Sequence, residues 1–154
     1  MNQIIRTLLL ALFITGIGIT TASAQLKHAP GYKISNVSMV PFDESTGKFE
    51  EPLGESNSRY FFNDLATSLL VTFDIAGEKG SFEPGRMINV TVKEGKKIKL
   101  TRNTQVGLMN DEGHYYVPVF IYGSVCQNLT ITARLSGQKT LSSVKRTVQF
   151  VCGE

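Results

Sequence analysis

The chain has 154 residues, 42% of them hydrophobic and 19% charged, with a formal net charge of +3, two cysteines and no tryptophan. That hydrophobic content excludes an intrinsically disordered chain, and so small a net charge argues against nucleic acid as a partner. The sequence holds no phosphate loop, no G-x-S-x-G and no H-E-x-x-H, so no enzyme is expected and no catalytic residue is assigned.

Residues 1–24 read as a cleaved signal peptide. Arg6 supplies the positive charge, an apolar run extends from Leu8 to Ile19, and Ala22-Ser23-Ala24 places small residues at the cleavage positions. The run is shorter than the ~20 residues a membrane span requires. No cysteine lies near the cleavage point, so a lipoprotein is not expected. The predicted destination is a periplasm or the cell exterior, and a leader ending Ala-Ser-Ala suits a Gram-negative exporter. Cleavage leaves 130 residues carrying 15 basic and 13 acidic side chains, enough for one domain with a real core. Residues 25–31 form a flexible N-terminal segment, and 32–154 a single folded domain.

Short alternating runs separated by turn residues predict an all-β sandwich. The expected strands are 32–40, 68–75, 87–93, 97–102, 114–122, 128–135 and 144–151. Residues 41–57 read as a loop, and 58–66 as a helical turn or an extra strand. In strand 68–75, Leu69, Val71, Phe73 and Ile75 share one face, as do Leu129, Ile131, Ala133 and Leu135 in 128–135. The clearest hairpin is 87–102. Pairing Lys93 with Lys97 sets Val92 against Ile98 and Val90 against Leu100, and places Lys93, Lys97 and Lys99 on the wet face. Strand 114–122 is apolar on both sides: Tyr115, Val117, Val119 and Ile121 alternate with Tyr116, Pro118, Phe120 and Tyr122. Pro118 marks a bulge or an unpaired edge.

Two cysteines in an exported chain predict one disulfide, Cys126–Cys152, closing a loop of 26 positions. The chain-entropy model gives such a loop roughly 3.5 kcal/mol. Pairing Leu129 with Phe150 and Ile131 with Val148 leaves the cysteines out of register, which calls for an irregularity at the open end of the last hairpin.

The frame Asp111-x-Gly113-x-Tyr115 resembles the tyrosine corner of immunoglobulin-like sandwiches. The resemblance implies an immunoglobulin-like or fibronectin-like sandwich of about seven strands, with Tyr115 bonding back to nearby backbone. The cysteine that antibody domains carry two residues later is Val117 here, and their buried tryptophan is missing. The resemblance implies a fold and no activity.

Three surfaces are candidates for binding. Residues 43–83 hold nine acidic and three basic side chains, against six basic and one acidic in 86–102. Lys93, Lys97 and Lys99 would thus form a basic surface for anionic glycans, lipid headgroups or an acidic protein. Tyr116, Phe120 and Tyr122, with Tyr60, Phe61 and Phe62 elsewhere, would form an aromatic recognition surface if unburied. His28 and His114 would be the ligands of a copper or zinc site, although neither H-x-H nor H-x-x-H occurs. The acidic pairs Glu50-Glu51 and Asp111-Glu112 read as solvated turns. Asn36, Asn89 and Asn128 head N-x-S/T sequons that matter only in a eukaryotic source. The expected role is a non-enzymatic exported protein that binds a protein or glycan, without a cofactor. The alternatives are a periplasmic metal-binding sandwich and a small enzyme without a recognisable motif.

Overall fold

A computed structural model describes residues 31–54, 67–123 and 127–149. Residues 1–24, read as a signal peptide, together with His28, residues 58–66, Cys126 and Cys152, lie outside them. The described residues form eight strands and no helix: β1 (Lys33–Asp43), β2 (Lys48–Phe49), β3 (Thr67–Ala76), β4 (Met87–Glu94), β5 (Lys97–Gln105), β6 (His114–Ile121), β7 (Leu129–Ser136) and β8 (Ser142–Val148). They make two antiparallel sheets, ordered β2-β1-β3-β6 and β5-β4-β7-β8. The fold is an immunoglobulin-like sandwich. Antibody constant domains set four strands against three; here β5 stays with β4 instead of crossing to β6.

Alternation decides which side of each strand is inside. Val71, Phe73 and Ile75 of β3 are fully buried, as are Ile88, Val90 and Val92 of β4 and Leu129, Ile131 and Ala133 of β7. Val117, Val119 and Ile121 of β6 complete the layer between the sheets. Each such valine, leucine, isoleucine or phenylalanine contributes about 1.5–3 kcal/mol over an exposed one. β1 joins this layer through Ile34, Val37 and Met39, with an extra residue between Ile34 and Asn36 that restores its alternation.

Two predicted registers are corrected. In β4–β5, Val92 pairs with Leu100 and Val90 with Arg102, while Lys93 pairs with Ile98 and Glu94 with Lys97. A bulge at Lys99 permits a two-residue turn, Gly95-Lys96, with Gly95 at φ 55°. It also reverses the alternation, so Leu100 turns inward while Ile98 is 63% exposed. In β7–β8, Leu129 pairs with Val148 and Ile131 with Arg146, two residues away from the expected register. The predicted loop 41–57 is partly structured. β1 extends to Asp43, β2 pairs Phe49 with Phe42, and Leu53 N–H donates to the Met39 carbonyl at 2.8 Å.

One end of the sandwich closes around Tyr32. Gln138 holds its backbone from both sides, accepting from Tyr32 N–H at 2.9 Å and donating to its carbonyl at 2.8 Å. Arg86, only 6% exposed, donates to the Gly137 carbonyl and sets its guanidinium 5.6 Å from the Tyr32 ring centroid. Among the described residues its partners are a carbonyl and a π face, and its buried Nε–H is left without a hydrogen-bond partner.

Candidate functional site

The outward side of the β2-β1-β3-β6 sheet carries a connected line of aromatic rings. Phe49 meets Phe42 at 5.0 Å between centroids, Phe42 meets Phe120 edge-on at 5.9 Å, and Phe120 meets Tyr122 at 4.6 Å. Phe42 and Phe120 lie on strands separated by β3. They touch because β3 presents Ser68 opposite Phe42, a residue too small to keep them apart. Ser68 is itself buried, accepting from Gly123 N–H at 3.2 Å and donating to the Glu44 carboxylate. Val40 and Leu70 share a row with Phe120 and widen the apolar patch. The line is open at both ends: Phe49 is 56% and Tyr122 73% exposed.

The rim is acidic. Asp43 closes the β1–β2 turn, taking hydrogen bonds from Ser45 Oγ and Thr46 Oγ1, both at 2.6 Å, and from Ser45 N–H at 2.8 Å. The Ser45 hydroxyl, then that of Thr46, brings its carboxyl down to about 2. Glu44, Glu50 and Glu51 lie in the same stretch, with Lys48, opposite Asp43, the one cation among them.

Farther along the face, His114 Nδ1 sits 2.6 Å from Asp74 Oδ1, and its ring stacks on Tyr116 at 6.1 Å and 11°. Tyr116 lies opposite Asp74 and is 51% exposed. A histidine oriented by a carboxylate is a component of many catalytic sites. Here the pair lies on the outward side of a sheet, in the rows of β3 and β6. Among the described residues no group of three or more His, Cys, Asp or Glu is placed to hold a metal. His28, the other expected ligand, lies outside them.

The tyrosine-corner reading is corrected. Tyr115 stands on β6, in the sheet of β1 and β3, and not at the start of the later strand β7. Its ring covers Gly107, where a Cβ would fall 2.8 Å from the Tyr115 Cζ. The Asp111-x-Gly113 frame is instead a tight turn. Asn110 Oδ1 accepts from Glu112 and His114 N–H at 3.0 and 2.8 Å, and Gly113 supplies φ 85°.

The basic surface of Lys93, Lys97 and Lys99 does not form. The β5 bulge separates them: Lys97 faces Glu94 across the ladder, and Lys99 Nζ lies 3.7 Å from Glu94 and donates to the Gly123 carbonyl at 3.3 Å. Only Lys93 keeps its place on the outward face. Tyr116, Phe120 and Tyr122 do share one face. Phe42 and Phe49 escaped the sequence reading because they fall in the presumed loop. Their signal was available: two phenylalanines flank Asp-Glu-Ser-Thr-Gly-Lys, a sequence rich in turn formers. Of the sequons, Asn36 caps Val37 N–H at 2.8 Å, and the Asn89 amide donates to Ser136 Oγ at 2.8 Å. No protein-family model matches the chain, and no curated protein does.

Proposed function

We propose that this is an exported, non-enzymatic binding protein that docks a protein partner on the outward face of the β2-β1-β3-β6 sheet. One observation carries the reading: four aromatic rings, each touching the next, stand on the outside of a sheet whose inside already fills the core. Contiguous exposed apolar surface of this kind marks interaction sites, and buried aromatics dominate the energy of protein interfaces. Val40 and Leu70 beside the rings favour a protein over a sugar, because a sugar-binding platform needs hydrogen-bonding groups among its rings. The acidic rim selects a partner that is apolar at its centre and basic at its edge.

Export accords with the leader at residues 1–24, and among the described residues no helix is long and apolar enough to cross a membrane. It carries with it the Cys126–Cys152 disulfide. Thiol titration of unreduced protein is expected to find none free.

The test compares envelope proteins captured by the wild type with those captured by Phe49→Ala/Tyr122→Ala. Both side chains are exposed, so the fold should survive while capture falls about tenfold or more. Undiminished capture overturns the reading. So does a concentration-dependent dimer abolished by the same pair of changes, which would make the occupant a second copy. If replacing residues 55–66 by a Gly-Ser linker sharply raises binding of a hydrophobic dye, the chain itself covers the face, and the reading again fails.

A further inference from the structure

The outward face of the other sheet has a different chemistry. Rows read across β5, β4, β7 and β8 are Ile98–Lys93–Thr130–Thr147, Thr101–Thr91–Thr132–Lys145 and Asn103–Asn89–Arg134–Ser143. Hydroxyls and amides fill most positions, three are cationic, and none of these described residues is a carboxylate or an aromatic. None of the three cations forms an ion pair with a described residue.

Protection of sheet edges does not account for this. Lysine on an exposed edge strand discourages unwanted pairing, which suits Lys97 and Lys99 on β5 and Lys145 on β8. Lys93 and Arg134, however, stand on β4 and β7, the two central strands. Strand spacing of ~4.8 Å and ~3.4 Å per residue set the Cα atoms of Lys93, Arg134 and Lys145 roughly 8–14 Å apart. That separation is near the screening length of about 8 Å at physiological salt, so the charges act on one extended ligand more than on one small ion.

We infer that this face binds a polyanionic glycan: an extended polysaccharide whose carboxylates or sulfates meet Lys93, Arg134 and Lys145 while its hydroxyls bond the threonine and asparagine rows. A protein hot spot would need buried apolar anchors, and this face offers only Ile98 and Met87. A neutral sugar would need an aromatic platform, and it has none. The inference is independent of the aromatic face on the opposite side.

The test measures binding of dextran sulfate and polygalacturonate against neutral dextran and phosphatidylglycerol vesicles. Either polyanion should bind, weakening as sodium chloride is raised, while dextran should not. Lys93→Gln/Arg134→Gln/Lys145→Gln should weaken binding about tenfold at unchanged melting temperature. The charge-matched control Lys48→Gln/Lys79→Gln/Lys139→Gln lies off the face and should bind as the wild type does. Equal loss in both variants would reduce the effect to net charge and overturn the inference. Failure of both polyanions to bind, or binding of the vesicles at equal strength, would overturn it too. Loss of partner capture in Phe49→Ala/Tyr122→Ala leaves glycan binding untouched, so the two proposals fail separately.

Discussion

The two outer faces of the sandwich differ more than the two inner ones. Inside, both sheets present valine, isoleucine and leucine in the same alternating pattern, with Phe73 added on β3. Outside, one sheet carries an aromatic line with an acidic rim, and the other carries hydroxyls, amides and cations. The core requires similar things of every strand, while nothing in the fold requires the outer faces to diverge. An outer face is free to be uniformly polar, so an aromatic line on one side only is the feature on which the proposed docking rests.

The contrast can be broken most severely from within. Phe73→Ala, in the middle of β3, removes a fully buried ring beneath both faces. It should cost about 3–5 kcal/mol in urea unfolding and abolish binding on each side alike. Gly137→Ala comes next. Its φ of 77° and the nearby Gly85 carbonyl leave no room for a methyl group, so stability should fall by at least about 1–2 kcal/mol, read as a lower melting temperature. Phe42→Ala divides the aromatic line at its centre. It should cost about 0.5–1.5 kcal/mol in lost ring contact, more than the exposed Tyr122→Ala, and weaken only the partner-binding face.

Acid offers a gentler test. The folded carboxyl of Asp43 titrates near 2, below its ordinary value of 3.8. The stabilising contribution is therefore complete above about pH 4 and is lost as pH falls toward 2. Hydrogen exchange at Ser45 and Gly47 should quicken across that window in the wild type, and Asp43→Asn should remove the dependence.

Seven strands were legible in the sequence, because alternation and turn residues report burial directly. Registers were not. Moving Leu129 from Phe150 to Val148 shifts a strand by two residues and leaves the same side chains on the same face. Hydrophobic pattern cannot distinguish such alternatives; turn geometry can. The bulge at Lys99 was equally hidden, since a single extra residue leaves no signature in composition. It cost the basic surface its coherence while exposing Ile98. The true polar face needed all four strands in register before Arg134 and Lys145 could be placed beside Lys93. β2 is only two residues long, too short for alternation to register at all.

Gln138 grips both backbone groups of Tyr32, the residue just ahead of β1, and Ile34 N–H donates to Ser142 Oγ at 2.9 Å. Were both proposed ligands bound at once and anchored apart, the sandwich would carry tension. Pull on the chain ahead of β1 and the load falls first on a single glutamine in the β7–β8 turn. Once those two bonds, the Ile34–Ser142 bond and the buried Tyr32 ring have given way, β1 can peel from β3 rung by rung. Resistance to force thus begins at side chains, Gln138 and Ser142, that lie on neither of the proposed binding faces.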